Sequence, residues 1–118
     1  MIPTRKISET ILEFGEPLIQ ELPEDSTKEI FEATMNVIVS VWNAVTIDTK
    51  EKNNNFESEL LKALLPVPPE LQLITRELIQ RKKTDYASDP RAVGNFWVIE
   101  KDGEFVFRAE ARLVIKSK

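Results

Sequence analysis

Three sets of side chains in this sequence have the types and the spacing for recognition chemistry. In the first, Trp97, Ile99, Val106, Arg108 and Arg112 alternate along two short segments on either side of Asp102-Gly103. On one face of a hairpin they would offer an indole and two aliphatic groups beside guanidinium ions, the mixture that protein–protein contacts concentrate at their centres. The second set, Asn36, Ser40 and Asn43, follows Glu29 and Glu32 at steps of three and four, which is one stripe of a helix. Such a stripe either meets solvent or satisfies its amides internally, the favoured reading, or it lines a small-ligand pocket beside that helix.

The third set is basic: Arg76, Arg81, Lys82 and Lys83, with Arg91, Arg108 and Arg112 downstream and Tyr86, Phe96 and Trp97 as stacking groups. Nucleic acid binding uses such a mixture, so a nucleic-acid-associated regulator is an alternative reading. The charge balance weighs against it. Asp85, Asp89 and Glu110 stand among these cations, the net charge is −4, and residues 81–83 end a helix whose dipole already favours cations there.

Catalytic chemistry has little to work with. The chain contains no histidine and no cysteine, which removes imidazole acid–base catalysis, thiol nucleophiles, disulfides and zinc sites of the usual ligand type together. Its 20 acidic residues show no local pattern that separates a general acid from a surface charge, and its three glycines form no phosphate loop. The expectation is a non-catalytic protein without metal or cofactor.

At 118 residues, with 42% hydrophobic and 31% charged side chains, the chain is long enough for one domain with its own core. Charge is unevenly placed: residues 1–60 hold 5 basic and 12 acidic groups, residues 61–118 hold 11 and 8. Solubility alone explains a field of that size, although it also suits head-to-tail docking. Met1 to Lys6 lead into a charged amphipathic segment with no apolar signal core, so the cytoplasm is the expected address. The longest stretch without charge, Ala33 to Ile47, is shorter than the ~20 residues a bilayer span needs and reads as a buried helix.

The elements that must position these side chains follow from periodicity. Ile7, Ile11, Phe14, Leu18 and Leu22 share a helical face across Gly15-Glu16-Pro17, which predicts a kinked helix or two short collinear ones. Ser26 to Glu29 has capping-box spacing and opens a central helix, apolar over most of its circumference. Asp48 to Asn55 has no apolar residue and reads as an exposed loop, after which Asn54 or Asn55 caps a short helix with Leu60, Leu61, Leu64 and Leu65 inward. Pro66 to Pro69 is a stiff connector into a long helix carrying Leu71, Ile74 and Leu78, and helical periodicity ends near residue 86.

From residue 94 to 116 the pattern alternates, and Asp102-Gly103 is a two-residue hairpin turn. That turn pairs Ile99 with Val106 and Trp97 with Arg108, and it separates a core face (Phe96, Val98, Phe105, Phe107, Ala109, Ala111, Leu113, Ile115) from the outer face of the first set. The predicted fold is a single α+β domain, with three to four helices packed on a C-terminal antiparallel β-hairpin. Open hairpin edges invite a homodimer that extends the sheet. The functional expectation is a protein–protein interaction module, an adaptor or regulatory subunit, whose partner is another protein or itself. Neither nucleic acid nor membrane is the expected partner.

Overall fold

A computed structural model of the chain describes residues 5–113. Helix α1, Ile7–Phe14, turns Ile7, Thr10, Ile11 and Phe14 inward at steps of three and four. At Gly15 the chain breaks, and α2, Glu16–Ile19, restarts with Pro17 in its first turn, where a missing amide donor costs nothing. Gly15 is also where this segment comes closest to the central helix. A Cβ there would lie 2.5 Å from Cδ1 and 2.8 Å from Cγ2 of Ile38, so no larger residue fits without displacing the core.

Helix α3, Lys28–Glu51, is the central element. Its cap is Thr27, whose Oγ1 accepts the Ile30 amide at 3.2 Å, one residue later than the capping-box spacing suggests. Ser26 is already engaged in the preceding turn, donating its hydroxyl to the Pro23 carbonyl at 2.7 Å. Met35, Ile38, Val39, Val41, Trp42 and Val45 are buried by the surrounding elements. Among the described residues α3 is the one helix long and apolar enough to cross a membrane, and in the fold half of that stretch is buried by the surrounding elements.

The helix continues past the point where apolar residues cease. Asp48 to Glu51, expected in a loop, form its last turn, and Lys52 closes it in the left-handed conformation at φ 59°. Asp48 is buried and its carboxylate accepts the amides of Phe56 at 3.0 Å and Glu57 at 2.8 Å, so it caps α4, Asn55–Ala63. Asn54 precedes α4 but makes no side-chain cap. Leu60 and Leu61 pack on the core, Leu64 is half-buried, and Leu65, expected inward, is 73% exposed because the helix ends before it. Helix α5, Pro69–Thr84, enters from Pro68 and buries Thr75, Leu78, Ile79 and Lys82.

The C-terminal layer is a two-stranded antiparallel sheet of β1, Arg91–Lys101, and β2, Glu104–Leu113. Both turn residues have positive φ, Asp102 at 53° and Gly103 at 79°, as the primed turn requires. Pairing runs from Lys101↔Glu104 through Ile99↔Val106 and Trp97↔Arg108 to Phe96↔Ala109, the register the turn predicts. Beyond it a β-bulge between Val93 and Asn95 shifts the register, and β1 starts at Arg91, three residues earlier than the alternation indicates. The bulge moves Val93 onto the face of Phe96 and Val98, where it is buried; Ala92 beside it is buried as well. Ile115 and the expected strand end at 116 lie outside the described residues.

The result is an α+β domain with five described helices packed on the hairpin, the extra one arising from the division at Gly15. Its radius of gyration, 14.3 Å, is close to the ~13.5 Å of a compact chain of this length. Phe14, Trp42 and Tyr86 meet edge to face at 5.1 to 5.7 Å in the centre, joining α1, α3 and the turn that follows α5. Nearer the turn, Phe31 of α3 stacks on Phe105 of β2 at 5.4 Å.

Candidate functional site

The hairpin register decides which side chains are available. Val98 and Phe107 point into the core and are 6% and 5% exposed, with Phe96 and Phe105 half-buried beside them. Their strand neighbours must then point outward. Trp97 is 39% exposed and Ile99 40%, Val106 is half-buried beside Ile99, and Arg108 and Arg112 are exposed. Ile99 and Val106 are directly opposite each other, as are Trp97 and Arg108. Arg108 does not cover the indole: among the described residues the cation–π contacts are Arg81 with Tyr86 and Lys82 with Trp42. Ala111, assigned to the core face, is exposed, although Val93 opposite it is buried.

The free edge of β1 is modified by α3. Trp42 Nε1 donates to the Arg91 carbonyl at 2.7 Å, Asn43 Nδ2 donates to the Val93 carbonyl at 3.0 Å, and the Val93 amide donates to Asn43 Oδ1 at 2.7 Å. Asn43 is thus spent on the strand backbone. Asn36 and Ser40 are exposed, and the Ser40 hydroxyl donates to the Asn36 carbonyl at 2.7 Å within the helix. The three residues do not converge on a cavity. The groove beside α3, about 430 Å³, is on another side of the helix, between Leu18, Leu22, Ile30, Val37, Leu64 and Leu71.

The basic set is dispersed by its contacts. Arg81 donates from Nε to the Phe14 carbonyl at 3.2 Å and from Nη2 to the Glu13 carbonyl at 3.1 Å, closing the end of α1. Lys82 is buried, donates to the carbonyls of Tyr86 and Asp89 at 2.8 Å each, and lies 4.2 Å above the Trp42 ring. Burial pushes its ammonium down to about 8, against the opposing pull of the Asp89 carboxylate. Lys83 pairs with Glu57 at 2.6 Å, and Arg76 is exposed on α5. Lys82 and Lys83, with Lys50 and Lys52, border a cleft of about 560 Å³ between the ends of α3 and α5.

Two polar clusters that periodicity does not disclose hold this end of the molecule together. Arg91 binds Asp89 through Nε at 3.0 Å and Nη2 at 2.8 Å, and Nη1 donates to the Arg5 carbonyl at 2.7 Å. Although burial raises the Asp89 carboxyl, the hydrogen bonds from Arg91 outweigh it and leave the group below the usual carboxylate range. The Tyr86 hydroxyl donates to Glu13 Oε1 at 2.6 Å, and burial followed by that bond pushes the phenol up to about 12. Among the described residues no three carboxylates are grouped closely enough to hold a metal ion.

In comparisons with known proteins, the chain matches no family, no curated protein and no solved structure. The surface itself therefore carries the functional argument: an outward indole and two aliphatic side chains on a two-stranded hairpin, with the helices behind them.

Proposed function

We propose that this domain is a non-catalytic protein–protein interaction module, a small adaptor or regulatory subunit acting in the cytoplasm, that associates through its C-terminal hairpin. The observation that carries the reading is the exposure of Trp97 and Ile99, 39% and 40%, on the face opposite the buried Val98 and Phe107. A large aromatic group kept in water beside Ile99 and Val106 contributes little to the core, and aromatic anchors of this kind dominate the energetics of protein contacts.

Photochemical cross-linking in cells tests this. A photoreactive phenylalanine analogue replaces Ile99 or, as control, the exposed Glu77 of α5. A discrete protein adduct at position 99 and none at 77 supports the reading; no adduct at 99 overturns it. The purified Trp97→Ser variant should stay within about 1 kcal/mol of the parent in urea unfolding, as surface substitutions do. A variant that unfolds would make Trp97 a core residue and remove the proposed contact surface.

A further inference from the structure

We infer that the partner of the hairpin is a second copy of this chain, joined antiparallel along β2 about a two-fold axis at Val106; this rests on the interaction reading above and names its partner. A two-stranded sheet has two edges, and α3 occupies one end of the first. Trp42 and Asn43 take the outward carbonyls of Arg91 and Val93 and the outward amide of Val93. Such cover blocks strand addition there.

Helix α1 packs against β2, but among the described residues it makes no hydrogen bond to the outer edge of that strand. Lys101 and Glu104 flank a two-residue turn and form its closing hydrogen-bonded pair, so bonded and non-bonded pairs alternate from that point. The peptide groups of Phe105, Phe107 and Ala109 therefore face away from β1. The same alternation, carried past the bulge, predicts outward groups at Val93 and Arg91, which is where α3 finds its acceptors. Among the described residues nothing hydrogen-bonds to the outer edge of β2. From Glu104 to Arg108 that edge also lacks the proline, lysine or bulge with which exposed strands discourage pairing.

Charge and apolar continuity select the register. Two-fold antiparallel pairing sets outer-face residues against outer-face residues. Centred on Phe107, Glu104 would meet Glu110 of the second copy; centred on Arg108, the guanidinium would meet its own counterpart. Centred on Ala109, Arg108 meets Glu110, but the aliphatic groups stay apart, and the pairing extends to the end of β2. Centred on Val106, Glu104 of each copy opposes Arg108 of the other, and Val106 meets Val106. Ile99, Val106 and their counterparts then run as one stripe across four strands. None of Glu104, Arg108 and Glu110 forms an ion pair within the described residues of one chain.

Sedimentation equilibrium of the purified chain, with charge reversals, tests the pairing. The expected result is a dimer whose dissociation constant rises about tenfold in Arg108→Glu, because two opposed pairs become repulsive together. It returns to within about threefold of the parent in Arg108→Glu/Glu104→Arg. Rescue by Glu110→Arg in place of Glu104→Arg overturns the register. A second measurement does not depend on charge. The chain has no cysteine, and a central non-bonded pair brings Cα atoms to within ~4.5 Å, so Val106→Cys should form a disulfide-linked dimer on mild oxidation where Glu110→Cys does not. A chain that stays monomeric at high micromolar concentration, with Val106→Cys no more cross-linked than Glu110→Cys, overturns this inference. If the photo-adduct at position 99 is then a different protein, the interaction reading stands without it; if there is no adduct, both fail.

Discussion

Asn43 and Val93, fifty residues apart in sequence, exchange two hydrogen bonds, the carboxamide donating at 3.0 Å and accepting at 2.7 Å. A single side chain of α3 thereby acts as the missing neighbour strand for one residue of β1. The bulge that follows Val93 turns the strand at this contact, and Trp42 makes the adjoining bond to Arg91.

Replacing Asn43 by leucine keeps the side-chain volume but leaves a strand amide and a carbonyl without partners in a half-buried site. The expected loss is about 2 to 3 kcal/mol, since unpaired buried groups forfeit their solvation as well as the bond. Asn43→Asp should also destabilise, because a carboxylate can accept the Val93 amide but meets the Val93 carbonyl with no proton to donate. Urea unfolding followed by far-ultraviolet circular dichroism measures both, and a loss below about 0.5 kcal/mol for Asn43→Leu would show that the strand edge does not need the contact.

Asp48 ends one helix and starts the next. Its two oxygens take the amides of Phe56 and Glu57, and α4 contains no fully buried residue of its own. Asp48→Ala should therefore cost about 1 to 2 kcal/mol and act locally, with faster hydrogen exchange at residues 56 and 57 and little change in α5. Uniform acceleration over the whole domain would contradict a capping role.

The end of α5 makes stability depend on pH in two opposing ways. Lys82 is held at about 8 in the folded chain against an ordinary value of 10.5. Between those values the unfolded chain binds a proton that the folded chain does not, so stability rises with pH across this window. Neutral Lys82 still has two hydrogens for the Tyr86 and Asp89 carbonyls. Tyr86 is held at about 12 against 10.0, so the folded chain retains a proton that the unfolded chain loses, and stability falls from pH 10 to 12. Unfolding midpoints at pH 7.5, 9, 10 and 11.5 should pass through a maximum near pH 10. Lys82→Met should abolish the rise, and Tyr86→Phe should flatten the fall. A rise that persists in Lys82→Met would assign the titration elsewhere.

Periodicity alone determined much of this protein. The alternation of Phe96 to Ile99 and Phe105 to Arg108, with Asp102-Gly103 as the only residues between the strands free to adopt positive φ, set which groups enter the core and which face water. The long apolar run of α3 likewise identified the central helix, because side-chain spacing is a local property that survives any tertiary arrangement.

What the tertiary structure decided was the fate of polar groups, since one polar residue has the same local signature whether it meets water, a backbone amide or an ion. Asn36, Ser40 and Asn43 look alike in sequence, yet two are exposed and one binds a strand fifty residues away. Asp48 lies in a run without apolar residues and is nonetheless buried, and Lys82 stands between two cations while being enclosed by carbonyls and an indole. Their roles depend on partners brought close only by folding, so the same physics that makes core periodicity legible leaves these contacts to the three-dimensional arrangement.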